Sequence, residues 1–271
     1  MLKRLSFLFC ILSLFFIFPG CAIQKARTVR HISENTIPPP QVILEKIDRD
    51  DQRKDALKAI AHIEVNTLRG RYPLKAAVMV MRPSSLRLEI LPLLGPPELI
   101  LSVHENMLKV FLPQKGEFYI GQATEKNMAY FFPFPMQGLV MEDIISILLG
   151  THPTVKEKSL TFRGSHDEGF YRVDILSKNR KIQSLLIDIE NNTLMRVNLF
   201  DNDNNQRYNV RFFGQSMTEN LTIPDKITLA SGDDEAPHII IRYSDAQKAT
   251  GVDAASFDLR PPPGIKKIPM D

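Results

Sequence analysis

Between residues 59 and 243, apolar side chains recur at every second position in short runs separated by turn residues. A period of two marks a half-buried strand, in which one face meets a core and the other meets water. Ile63, Val65 and Thr67 alternate with Glu64, Asn66 and Leu68, and Arg69-Gly70-Arg71 then turns the chain. Leu74–Met81 is stopped by Arg82-Pro83, and Leu86, Leu88 and Ile90 alternate with Arg87 and Glu89. Further strands are expected at Leu99–Val103, Met107–Leu112 and Glu117–Ile120. A second block is expected at Leu160–Arg163, Phe170–Leu176, Ile182–Glu190, Leu194–Phe200, Arg207–Phe213, Ile223–Ala230 and Ile239–Tyr243. In it, Met195, Val197 and Leu199 form one apolar face, and Tyr208, Val210 and Phe212 another. Strands about ten residues apart with turn signals between them predict an antiparallel sandwich or barrel.

One helix is expected before this pattern and one within it. Gln41–Lys58 has Pro40 at its start, an apolar side of Ile43, Ile47, Leu57 and Ile60, and a charged middle that suits a solvated face. Met141–Gly150 is amphipathic, with Glu142 and Asp143 in the first turn, where the helix dipole favours them, and Gly150 as a natural stop. The stretch just before it, rich in proline and carrying Phe131, Phe132, Phe134 and Met136, is too constrained for a regular helix. Ala22–Pro40 ends in three prolines and predicts a stiff tether. The expected organisation is a leader at 1–20, a tether at 21–40, one β domain at 41–250 and an exit tail at 251–271.

Lys3 and Arg4 precede an uncharged apolar run from Leu5 to Phe18. That run suits the apolar region of a secretory signal and falls short of the roughly 20 residues a spanning helix needs. Phe18-Pro19-Gly20-Cys21 follows. This resembles the lipobox of bacterial lipoproteins, with Phe18 where Leu is commonest and Pro19 where Ala or Ser is. The resemblance implies cleavage before Cys21 and a covalent S-diacylglycerol and N-acyl (palmitate) lipid on it. The alternative is an ordinary signal or an uncleaved anchor with Cys21 incidental. The only other cysteine, Cys10, lies inside the apolar run, so no disulfide is expected in the cleaved chain.

Composition excludes several functions. The formal charge of +3 includes Lys3 and Arg4, so the remainder is nearly neutral and gives no footprint for nucleic acid. No phosphate-binding glycine loop, His-Glu-x-x-His or Gly-x-Ser-x-Gly occurs. His31, His62, His104, His152, His166 and His238 are scattered without metal-ligand spacing, and no metal is expected. Asp201–Asn205 lacks the glycine and distal glutamate of a calcium loop and predicts an Asx-rich hairpin. Glu64, Glu89, Asp188 and Glu190 fall on polar strand faces and not as an acid–base pair. The expectation is a protein without enzymatic activity.

The order helix, strand block, aromatic-proline loop with helix, strand block resembles the LolA/LolB superfamily. The resemblance is firmest from Arg82 to Pro97, where a strand leads into the turn Leu91-Pro92-Leu93-Leu94-Gly95-Pro96-Pro97. It implies a mostly β (α+β) fold, an unclosed antiparallel β-barrel with a helical lid, holding lipid or lipoprotein acyl chains in an apolar cavity as carrier, receptor or chaperone. By this resemblance Leu93 and Leu94 form a membrane-contact loop; the alternative is packing under the turn. Phe131, Phe132, Phe134, Met136, Ile144 and Leu148 form the lid and cavity wall; the alternative is core packing beneath a loop. Ala22 in place of the Asp that retains lipoproteins at the inner membrane implies, by that resemblance, the outer membrane, periplasmic face; separately, the chain is expected to be a monomer. A second function remains open: a structural or assembly lipoprotein that binds an envelope protein and no lipid.

Overall fold

The structure, a computed structural model, describes residues 38–51, 54–131, 138–167, 169–218, 221–232 and 238–270. The leader, Cys21 and nearly all of the tether lie outside the described residues, as do Phe132, Phe134 and Met136. Helix α1 (Pro40–Asp51) leads into six strands: β1 (Ala56–Thr67), β2 (Gly70–Met81), β3 (Ser85–Leu91), β4 (Leu99–His104), β5 (Met107–Leu112) and β6 (Glu117–Gln122). Helices α2 (Glu125–Ala129) and α3 (Met141–Leu148) come next. The second block holds β7 (Leu160–Asp167), β8 (Phe170–Ser177), β9 (Arg180–Asp188), β10 (Thr193–Phe200) and β11 (Gln206–Phe213). A short ribbon of β12 (Ser216–Thr218) and β13 (Leu221–Ile223) precedes β14 (Lys226–Ser231) and β15 (His238–Lys248). A 3-10 turn at Ala254–Phe257 and β16 (Lys267–Pro269) end the chain.

All but the ribbon join one sheet in the order β16-β6-β5-β4-β3-β2-β1-β15-β14-β11-β10-β9-β8-β7. The edges, β16 and β7, do not pair with each other, so the sheet curls without closing. The two strand blocks meet where β1 pairs with β15, and residues 123–159 must carry the chain from one edge region to the other. That crossing lays α2 and α3 over the apolar face. Two clusters fill this face, one per block, and α3 serves both: Ile145 and Leu149 pack in the first-block cluster and Ile147 in the second.

Several expectations shift by a few residues for identifiable reasons. The first helix stops at Asp51, and Leu57 and Ile60 belong to β1, with Leu57 fully buried. Their spacing of three is that of a helix turn; in β1 it puts them on opposite faces, Leu57 inward and Ile60 outward, so the helical reading extended too far. In β10 a register irregularity at Met195 moves the inward face, and Leu194 joins Val197 and Leu199 in the core. The strand expected from Ile223 to Ala230 is two strands, split at Pro224-Asp225.

Residues 251–271, expected as an exit tail, return to the sheet. Phe257 is buried against the outer face, where its carbonyl accepts from Ser102 Oγ, and Ser256 O accepts from Arg87 Nη1 at 3.3 Å. Lys109 Nζ bonds Asp258 at 2.8 Å. The strap then ends as β16, parallel to β6, an exception to the antiparallel pairing predicted from hairpins. Gly121 permits this close approach: a Cβ there would sit 2.8 Å from Met270 Cβ and 2.9 Å from Met270 O. Gly121→Val is therefore expected to detach the strap's end at about 1–3 kcal/mol, the range for overpacking. Hydrogen exchange would show lost protection at Met270 N–H, which donates to Ile120 O; unchanged protection would refute the clash.

Candidate functional site

Two ends of the sheet differ in how tightly they are packed. At the end holding the β2–β3 turn, the inward side chains Leu57, Ala61, Ala76, Val80, Leu101 and Val103 are all fully buried. At the end holding the β1–β2 turn, the inward Ile63, Leu74, Ile90, Ile239 and Ile241 keep part of their surface exposed. Every one of them belongs to an apolar strand face, so their exposure marks a hollow and not a solvated side. The hollow is about 150 Å³, and every described residue lining it is apolar. Strands supply Ile63, Val65, Leu88, Ile239 and Ile241; the crossing segment supplies Phe131, Ile144, Ile147 and Leu148. A space of this size and lining admits a benzene-sized group.

Of the residues expected to form lid and wall, Phe131, Ile144 and Leu148 thus meet at one hollow. Phe131 follows α2, whose start is set by Thr124 Oγ1 accepting from Asn127 N at 3.2 Å. Its ring stands edge-on to Tyr119 at 5.4 Å and to the exposed Tyr130 at 5.0 Å.

Helix α3 is held mainly at its C-terminal end. Tyr243 Oη donates to Leu148 O at 2.9 Å, and burial pushes that phenol far above its ordinary range. Arg82 donates to Ser146 Oγ at 3.3 Å and to Thr151 Oγ1 at 2.7 Å. Gly150 takes φ +71°, and a Cβ there would lie 2.4 Å from Pro224 Cδ, so only glycine ends the helix here. The other end has a capping bond from Val140 N to Asp143 Oδ2 at 3.2 Å, an ion pair of Glu142 with Lys156 at 3.6 Å and, just before it, Arg207 donating to Gly138 O at 3.0 Å, but its first turn is less buried and Val140 is exposed.

A charged cluster ties α1 to the segment after α3. His152 Nε2 meets Asp48 Oδ1 at 2.8 Å, and Nδ1 meets Pro153 O at 3.0 Å. Burial pulls the His152 imidazole down, but the hydrogen bond and charge of Asp48, with Asp51 beyond, outweigh it and leave it raised. Asp51 is buried; burial raises its carboxyl against the opposing Lys54, His152 and Arg82 charges. A raised histidine stabilises the fold fully below its unfolded value of 6.5, and that contribution fades as pH rises through the folded value. His152→Ala is therefore expected to lower stability by about 1 kcal/mol at pH 6, because Asp48 is half-exposed. The deficit should shrink at pH 9; urea unfolding at both pH values checks it, and a constant deficit would exclude the ion pair.

Two larger clefts, about 390 and 460 Å³, flank α1. Asp51 borders both, and their polar walls are mostly engaged with one another, so they lack the uniform chemistry of the apolar hollow. Among the described residues, no group of three or more His, Cys, Asp or Glu is placed to hold a metal ion. His104 bonds Ser85 and stacks on Phe257, and His238 bonds Asn66. Asp201 Oδ1 accepts from the Asp203 and Asn205 amides at 2.8 and 2.9 Å, closing the expected Asx turn.

Leu93 and Leu94 are exposed by 102% and 92%, standing clear of the β3–β4 loop without packing beneath it. Sequence reasoning missed a second apolar tip: Leu68, between β1 and β2, is exposed by 92%. It was assigned to the polar side of an alternating strand. The overlooked signal was a large apolar residue directly before Arg-Gly, at the tip of a turn.

A curled, unclosed antiparallel sheet with helices laid over an apolar hollow is a LolA-like fold. No protein-family model matches the chain, and no curated protein matches it. Solved structures do. A LolA superfamily protein from Nitrosomonas europaea is 13% identical with a TM-score of 0.55, over 82% of this chain and 99% of that one. A DUF1329 family protein from Desulfovibrio piger is 13% identical with a TM-score of 0.58, over 82% and 98%. An outer membrane lipoprotein-sorting protein domain from Vibrio parahaemolyticus is 10% identical with a TM-score of 0.55, over 80% and 95%. At these identities the likeness is one of fold.

Proposed function

We propose that this chain is a lipid-anchored envelope protein that binds an acyl chain, of a lipid or a lipoprotein, in the hollow beneath α3 and Phe131, without catalysing a reaction. The observation that carries this reading is the packing gradient: inward apolar side chains are buried at one end of the sheet and left partly exposed at the other, around a space whose described lining residues are all apolar. A solvated or catalytic site would place polar groups there. The fold shared with a LolA superfamily protein and with a lipoprotein-sorting domain supports the same class of ligand. In this reading Cys21 is cleaved free and acylated, residues 21–40 tether a monomeric body to the periplasmic face of the outer membrane, and Leu93-Leu94 touches a bilayer.

The volume bears on mechanism. A long acyl chain exceeds a benzene-sized hollow, so binding requires α3 to move outward at its less buried N-terminal end while Arg82, Tyr243 and Gly150 hold the other. Displacement of a fluorescent fatty acid from the purified protein tests this, together with mass spectrometry of lipids retained after native extraction. Absence of both signals would leave the second reading, an assembly lipoprotein whose small hollow is never loaded, which the modest volume favours. Intact mass of the detergent-extracted protein tests Cys21: retention of residues 1–20 would refute the anchor.

A further inference from the structure

Leu68, Leu93 and Leu94 lie on two different loops, and strand register puts both loops at one end of the sheet. Thr67 pairs with Gly70 across the β1–β2 turn, and Lys75 of β2 pairs with Leu91, the last residue of β3. The β3–β4 loop therefore leaves the sheet on the side where β1 turns into β2. This is also the loosely packed end. Val65 and Ile90 line or border the hollow, and each lies three residues before an exposed leucine, Leu68 and Leu93. At strand rise each leucine stands about 10 Å beyond its wall residue, and the β1–β2 hairpin, which runs on from Lys75 to Gly70, carries Leu68 about 17 Å further along the sheet than the end of β3.

The β1–β2 tip is built to project. Thr67 Oγ1 accepts from Arg69 N at 3.1 Å and donates to Gly70 O at 3.2 Å, so the turn is fixed around Leu68. Tyr72, 46% exposed, is the β2 partner of Val65, two pairs below the turn, and carries an amphipathic ring of the kind found at bilayer interfaces. Arg69 and Arg71 flank the tip and are exposed; Arg71 pairs with Glu64, which leaves Arg69 as the outermost cation of the turn. At the β1–β2 tip an apolar residue beside an exposed arginine matches a surface of anionic headgroups over acyl chains, whereas the Leu93-Leu94 tip is apolar without a cation.

We propose that this end of the sheet is a two-pronged docking surface for an anionic bilayer, with Leu68 and Tyr72 as a prong separate from Leu93-Leu94 and with the mouth of the hollow between lipid and lid. The inference extends the membrane contact proposed above for Leu93-Leu94, and its test is independent of cavity binding. The chain from residue 21 with Cys21→Ser, which lacks the lipid, is floated with phosphatidylcholine vesicles with or without phosphatidylglycerol. Flotation is expected with the anionic vesicles. Leu68→Glu is expected to weaken it about tenfold, as loss of one buried leucine would. Tyr72→Ser is expected to weaken it less, and Arg69→Glu to abolish the preference for phosphatidylglycerol. Fatty-acid displacement by Leu68→Glu should stay at the parent level. Flotation of Leu68→Glu equal to the parent, or no flotation of the parent, overturns the docking surface; failed fatty-acid binding with intact flotation overturns the cavity reading alone.

Discussion

Ile145→Ala is expected to lower the free energy of unfolding by about 3 kcal/mol, within the range of 2–5 for large-to-small changes at fully buried aliphatic sites. Ile145 has no exposed surface and sits in the cluster formed by the first strand block, while Ile147 on the same helix packs into the other cluster. Helix α3 spans only Met141–Leu148, too short to be helical alone in water, so its packing holds it in place. Leu149, equally buried one residue on, would keep the helix end seated. The loss should appear as a lower urea midpoint with an unchanged slope. A change below about 1 kcal/mol would mean that α3 is not part of the cooperative core.

The second large effect concerns the hollow. Ile63 and Ile241 are register partners on β1 and β15, both half-buried and both in its wall. Replacing both with Phe fills space that is empty and touches no polar network. Affinity for a fluorescent fatty acid is expected to fall at least tenfold, equivalent to about 1.4 kcal/mol, while any loss of stability stays within the roughly 1–3 kcal/mol of small-to-large core changes. Full affinity in a stable double variant would place the ligand elsewhere, and the cleft bordered by Leu44, Leu160 and Phe162 would then be the next candidate.

Both predictions rest on features with different legibility in the sequence. The strands were readable because alternation is local: Leu86, Leu88 and Ile90 face inward whatever pairs beside them. The Met141–Leu148 helix was readable from its acidic first turn and the glycine at 150. The strap was not. Pro261-Pro262-Pro263 and Lys266-Lys267 look like solvent-exposed chain, and β16 forms only because Gly121, far back in the sequence, leaves room beside β6. The role of Leu68 was hidden for a similar reason: one leucine in a turn acquires meaning only when Leu93 and Leu94 arrive at the same end.

Alternation and turn chemistry alone therefore determined a mostly β chain, two strand blocks and a helix between them, since each depends on neighbours within a few residues. Tertiary structure alone decided where the sheet stays open, how large the hollow is and which loops stand together. These follow from pairings between residues far apart, such as Ile63 with Ile241, and from where α3 comes to rest over them. No local preference encodes a space that two strand blocks leave between them.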